Sequence, residues 1–165
     1  LSEPKLEGIT SGGRSLTTTE PTEVGVARPK TDPKYRSQLE RRVCNNLRNR
    51  NVSFDYEPYK LSYTTEVKPA YCANCGHKVV LKERNYTPDI VLGNGIVIEI
   101  KGKFTGEMRT KMLAVRRCNP HLDIRMLFQA DNWLTKKKAT KYSDWCEING
   151  FTYHVGEQVP SDWVE

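Results

Sequence analysis

The chain has 165 residues and a mass of 18.9 kDa, which suits one domain with a substantial core and is too little for two. Lys and Arg total 26 against 20 Asp and Glu, a net charge of +6 and a pI near 9.1. No apolar run approaches the roughly 20 residues of a bilayer span, and no basic patch followed by an apolar stretch marks a secretory leader. The five cysteines are odd in number with one close pair, which argues against a disulfide scaffold and for a reduced cytoplasm.

Residues 1–33 hold four basic and five acidic groups among Gly, Ser, Thr and Pro and lack apolar periodicity, so they are expected to be an extended or disordered tail. The positive excess therefore belongs to residues 34–165, net +7, the expected folded domain. Such a balance suits a polyanionic partner, nucleic acid first. Leu39, Val43 and Leu47 fall at i, i+4 and i+8 and predict an amphipathic helix over 36–50, with Glu40 at the rim of its apolar stripe. Val52, Phe54 and Tyr56 alternate as in a strand, and a second extended piece runs from Tyr59 to Thr65. Residues 66–86 are polar and contain Cys72-Ala-Asn-Cys75-Gly-His77; they are expected to be an inserted loop or small knuckle. Ile90–Leu92, Gly93-Asn94-Gly95 and Ile96–Ile100 predict a tight β-hairpin. Met108, Met112 and Val115 predict a helix over 106–117 that Asn119-Pro120 ends, and Ile124–Phe128 reads as a buried strand. Lys136, Lys137 and Lys138 fall in a loop. Ser143 is the expected cap of a short helix ending near Gly150, before a last strand at Phe151–Val155. This order implies an α/β fold, a mixed sheet flanked by helices.

The chemistry concentrates in the hairpin. If Gly93-Asn94-Gly95 is its loop, Leu92 pairs with Ile96 and Asp89 stands opposite Glu99, on the same face. Lys101, two residues on, shares that face, while Ile96, Ile98 and Ile100 point to the other. Two opposed carboxylates repel unless a cation or proton intervenes. A hard divalent ion such as Mg²⁺ resolves the conflict and bridges to a phosphate, the arrangement of metal-assisted phosphodiester hydrolysis. A cross-strand ion pair on a solvated sheet face is the plainer alternative for the same residues.

Pro88-Asp89, nine further residues and then Glu99-Ile-Lys101 resembles the PD-(D/E)xK nuclease motif. Around it, in order, stand Tyr35-Arg-Ser-Gln-Leu-Glu40, Phe54-Asp-Tyr-Glu57, Tyr86-Thr-Pro-Asp89, Asn94-Gly-Ile96, Glu99-Ile-Lys-Gly102, His121-Leu-Asp-Ile-Arg125 and Val159-Pro-Ser-Asp-Trp163. With these the chain resembles the endonuclease I family of T-odd phages, Holliday-junction resolvases. The resemblance implies a restriction-endonuclease-like α/β fold and a domain-swapped homodimer, bridged by the strand at 59–65, whose active sites mix residues of both chains. It implies metal-dependent cutting of branched DNA that leaves 5′-phosphates, in the host cytoplasm. The catalytic residues carried over are Glu40, Asp89, Glu99 and Lys101. Asp89, Glu99 and the Ile100 carbonyl would hold Mg²⁺ or Mn²⁺; Glu40 would bind a second ion or orient water, and Lys101 would stabilise charge on the phosphate or assist the nucleophile. Residues 1–33 and an insertion around Cys72 to Arg84 have no counterpart in the resemblance.

Cys72 and Cys75 form half a zinc site; His77, or a second pair from a dimer partner, would complete it, and a metal-free turn is the alternative. Cys44, Cys118 and Cys146 are expected to pack rather than ligate. Arg36, Arg41, Arg48, Lys103, Arg109, Lys111, Arg116 and Lys136 to Lys138 are candidate phosphate contacts, supplying a salt-dependent, sequence-independent affinity for DNA. Beside the structure-selective endodeoxyribonuclease stand two other readings: a sequence-specific nicking or homing-type endonuclease on the same core, and a non-catalytic DNA-binding module. The presence of all four active-site residues argues against the last. Neither a membrane nor a small-molecule cofactor is expected.

Overall fold

The computed structural model describes residues 35–71, 74–76 and 78–165. Helix α1, Gln38–Asn49, begins at Ser37, whose Oγ accepts the Glu40 N–H at 3.1 Å. The Ser37 hydroxyl in turn donates to Glu40 Oε1 at 2.9 Å, so a Ser-x-x-Glu pair fixes the first turn. Strands β1 (Phe54–Tyr56), β4 (Ile90–Leu92), β5 (Val97–Lys101), β6 (Ile124–Phe128) and β7 (Thr152–Val155) form a sheet in the order β1-β4-β5-β6-β7. The β1, β4 and β5 pairings are antiparallel; β5–β6 and β6–β7 are parallel. Those parallel steps need crossovers, which helices α2 (Gly106–Cys118) and α3 (Tyr142–Asn149) supply. A short 3₁₀ turn, Ser161–Trp163, follows.

The hairpin register agrees with the expectation. Ile90 pairs with Ile98 and Val91 with Val97, and the Leu92 N–H donates to the Ile96 carbonyl at 2.9 Å. Gly95, at φ 88°, supplies the left-handed residue that closes the loop. Alternation along β5 feeds two separate cores. Ile98 and Ile100 join Leu39, Val43, Cys44 and Leu47 of α1. Val97 joins Met126, Phe128, Met112, Val115, Cys146 and Phe151 on the α2–α3 side. β5 is thus buried on both faces, and the side of the hairpin that carries Glu99 is not a solvated sheet surface.

Three expectations are corrected. The stretch expected as an inserted loop or small knuckle at 66–86 is mostly strand: β2 (Leu61–Tyr71) and β3 (Lys78–Tyr86) pair antiparallel into a two-stranded ribbon, irregular between Glu66 and Ala70. Backbone pairing, which needs no apolar alternation, holds this polar segment extended. Ser143 does not cap α3; the helix starts at Tyr142, with Lys141 as the flanking residue. The Asp131 carboxylate takes both the Ser143 N–H at 3.0 Å and its hydroxyl at 2.9 Å, so a loop acid serves the helix start instead. Gly150 follows the helix at φ 67°, as expected. Cys44 and Cys146 are buried, but Cys118 is exposed at the end of α2, where its Sγ accepts the Thr64 N–H at 3.4 Å.

Candidate active site

Asp89, Glu99 and Lys101 meet at the end of the β4–β5 hairpin away from its turn. Asp89 and Glu99 are only 6% and 2% exposed. Lys101 Nζ lies 2.7 Å from Glu99 Oε1 and 3.2 Å from Asp89 Oδ2, and donates to the Ile100 carbonyl at 2.9 Å. Asp89 Oδ2 also accepts the Ile100 N–H at 2.8 Å. The Asp89 side chain therefore takes the place of a ladder carbonyl just before β4 begins, which ties its position to the β5 backbone.

The electrostatics follow from burial. Desolvation first, and the Glu99 charge second, push the Asp89 carboxyl up to about 7, against the pull of Lys101 and the Ile100 N–H. For Lys101 burial alone would lower the pKa, but Glu99 and Asp89 outweigh it and the net shift is upward. Lys101 is therefore an ammonium at neutral pH and holds two carboxylates that would otherwise repel.

Glu40 arrives from α1 and is 8% exposed. It is close enough for its charge to raise Asp89 further. Its Oε2 accepts the Tyr56 hydroxyl at 2.6 Å and the Arg36 N–H at 3.2 Å. Glu40 is thus held by β1 and by its own helix start, while Asp89, Glu99 and Lys101 are held by β4 and β5. Among the described residues no three His, Cys, Asp or Glu side chains form a ready-made metal cage. What converges is two carboxylates and one carbonyl around the Lys101 ammonium, with Glu40 nearby.

Two site residues escape the sequence reading. The Tyr86 hydroxyl donates to Glu99 Oε2 at 2.5 Å; this side chain is 1% exposed, and burial above all raises its pKa well above 10. Tyr56 positions Glu40 in the same way. An aromatic in a strand reads as packing, so only its place in Tyr86-Thr-Pro-Asp89 pointed to Tyr86. For Ser37, the Ser-x-x-Glu spacing was an available signal.

The basic candidates divide. Arg41, Lys103, Lys136, Lys137 and Lys138 are exposed. Arg36 Nε lies 2.6 Å from Glu57 Oε1. Arg109 is engaged with the Phe104 carbonyl at 2.9 Å, and the Lys111 ammonium lies 4.7 Å from the centre of the Tyr86 ring. Arg48 is stacked on Tyr35 and Phe54, and Arg116 donates to the Asn149 and Gly150 carbonyls at 2.6 and 2.8 Å; both are structural. Cys75 is exposed near the ribbon tip, while Cys72 and His77 lie outside the described residues. Among the described residues no helix is long and apolar enough to cross a membrane.

Sequence comparison fits this geometry. The family described as phage endonuclease I matches residues 22–165, beginning upstream of Tyr35. Endonuclease I of Escherichia phage T7 is 33% identical over 132 residues, covering 79% of this chain and 78% of that protein. Endodeoxyribonuclease 1 of Enterobacteria phage T3 is 34% identical over 120 residues, covering 72% and 70%. A match over most of the chain, spanning the hairpin that joins Asp89, Glu99 and Lys101, means that the protein belongs to the phage endonuclease I family.

Proposed function

We propose that this endonuclease is a metal-dependent endodeoxyribonuclease that hydrolyses phosphodiester bonds in branched DNA, four-way junctions foremost, with Mg²⁺ or Mn²⁺, as a homodimer in the host cytoplasm. The observation that carries the reading is the meeting of Asp89, Glu99, the Ile100 carbonyl and Lys101 at one strand end. The donor set fits a hard divalent cation. All its candidate ligands are oxygens, and Glu40, Asp89 and Glu99 outnumber the one ammonium.

A divalent ion held there would polarise a phosphate oxygen and ready a water for attack. Asp89, Glu99 and the Ile100 carbonyl are its proposed holders, and Glu40 orients the water or holds a second ion. Lys101, kept charged by its two carboxylates, neutralises charge that builds on the attacked phosphate. Tyr86 keeps one Glu99 oxygen fixed, as the hydrogen-bonded supports of metal ligands do. Arg41, Lys103 and Lys136 to Lys138 supply backbone affinity from the surface.

Two further parts belong to the proposal. The Cys72-Ala-Asn-Cys75 pair takes a structural Zn²⁺, completed by the same pair of a partner copy; zinc-free protein purified without chelator would refute this. The dimer exchanges elements through the strand that begins after Pro58, and such a dimer does not dissociate at micromolar concentration. The second reading is a sequence-specific nicking or homing-type endonuclease on the same core. Light scattering near 19 kDa, with cuts in one strand only, would support that reading.

The test is purified protein with Mg²⁺ on junction, nicked and linear DNA. Two sites that engage one junction together make the second contact intramolecular. Junctions should bind at least roughly tenfold tighter than duplex of equal length, about 1.4 kcal/mol. Equal affinity, or preference for one linear sequence, would move the reading to the homing type.

A further inference from the structure

Beside the Asp89–Glu99–Lys101 cluster, the ribbon and α2 flank an open cavity of about 540 Å³, lined by Tyr63, Thr65, Arg84, Gly106, Glu107, Thr110 and Lys111. We propose that this cavity seats a backbone phosphate of the DNA strand, one or two linkages from the cut, held by Arg84 and Lys111. The proposal rests on the nuclease reading above and adds a site to it.

The register brings these groups together. Tyr63 pairs with Arg84 and Thr65 with Lys82 across the ribbon. Lys82, Arg84 and Tyr86 alternate on one strand and so share a face. Arg84 Nε donates to Thr65 Oγ1 at 3.1 Å, which anchors the guanidinium and leaves its terminal nitrogens for a ligand. From α2, Lys111 reaches over the Tyr86 ring. Arg36, Arg42, Arg125 and Lys141 each have a carboxylate within ion-pair distance; among the described residues Arg84 and Lys111 have none. Glu107 lines the same cavity without pairing to either, so the lining carries two cations against one anion. The Thr65 and Thr110 hydroxyls add donors of the kind that position phosphates.

The position suits a neighbouring linkage. Tyr86 separates the two sites, its hydroxyl on Glu99 and its ring under Lys111. A two-residue step from Tyr86 to Arg84 is about 6.8 Å along a strand, comparable to the spacing of neighbouring phosphates on one DNA strand. A strand whose scissile phosphate lies at Asp89 and Glu99 and that runs on past Tyr86 would bring a neighbouring linkage to Arg84 and Lys111. Lys82 continues the row outward. Lys111, over the Tyr86 ring, belongs with Arg84 to the phosphate seat, and the polar ribbon acquires a role beyond its own stability.

The experiment uses full-length protein and a four-way junction carrying single methylphosphonate linkages, stepped one at a time through three positions on each side of the cut. Binding is measured in Ca²⁺ over a salt series for wild type, Arg84→Ala and Arg84→Lys. The expected result is that wild type loses about tenfold in affinity at one linkage away from the cut. Arg84→Ala loses about as much on unmodified DNA, becomes insensitive to that substitution, and has a salt slope smaller by about one. Arg84→Lys recovers part of the loss. Arg84→Ala protein that binds like wild type at every salt concentration, or that keeps the wild-type sensitivity at each linkage, overturns the proposal. Because binding is the readout, a protein that binds this way but cuts nothing overturns the catalytic reading alone.

Discussion

Asp89→Asn isolates the electrostatic cost that the site imposes on the metal-free protein. In the folded chain this carboxyl titrates at about 7, against 3.8 for the unperturbed group. Its folded-state pKa is raised, so between those values the folded state binds the proton that the unfolded state has released. Stability must then fall as pH rises from about 4 to about 7, and remain low above that. Three units at about 1.4 kcal/mol each give a ceiling of about 4 kcal/mol. Asn keeps an oxygen for the Ile100 N–H but carries no charge, so it escapes the penalty while losing the attraction of Lys101. In chelator, the variant should match wild type near pH 4 and exceed it by up to about 4 kcal/mol at pH 8, roughly a 10 °C rise in Tm. Urea melts of both proteins at pH 4, 6 and 8 measure the difference directly, cancelling the other titrating groups. A difference that does not grow with pH, or that favours wild type at pH 8, would refute the reasoning. Added Mg²⁺ should reverse the order, since it stabilises only the protein that keeps its carboxylate.

Further outcomes follow from the same geometry. Tyr86→Phe removes the hydroxyl on Glu99 and should lower metal affinity 10–100-fold, with partial rescue at high Mg²⁺; unchanged metal titration curves would remove Tyr86 from the site. Glu40→Gln should reduce the single-turnover rate while leaving junction binding intact, which stopped cleavage assays and band shifts separate. Leu127→Ala deletes a fully buried side chain and should cost about 2–5 kcal/mol in urea melts without altering how cleavage responds to Mg²⁺. Ca²⁺ should support DNA binding but little turnover, because its looser coordination leaves the attacking water poorly fixed; full cleavage in Ca²⁺ would count against the proposed role of the site.

The β4–β5 hairpin was legible because two independent signals agree there. A Gly-Asn-Gly turn fixes the register, and Ile96, Ile98 and Ile100 fix the face, which together place Asp89 opposite Glu99. The α1 helix was legible from Leu39, Val43 and Leu47, and its Glu40 from the family resemblance. The β2–β3 ribbon beyond Thr65 was not, because much of it is polar and its strands are held by each other's backbones. Burial of the face that carries Glu99 was also hidden: nothing local in Val97-Ile-Glu99 shows that the ribbon and α2 will cover that side. The start of α3 was misplaced because the decisive acceptor, Asp131, lies twelve residues from Ser143 in sequence. Each of these misses concerns partners distant along the chain, which local periodicity does not record.

Single-turnover cleavage of a four-way junction by wild type and by folded Glu99→Gln, each in Mg²⁺ and in chelator, tests the central claim most directly. Glu99 is the acid that both Lys101 and Tyr86 hold, and the substitution changes its charge with little change of shape. The account predicts cutting by wild type in Mg²⁺ alone, and a loss of at least several orders of magnitude in the variant, with junction binding retained. Cutting by wild type in chelator, or by folded Glu99→Gln at the wild-type rate, would contradict it.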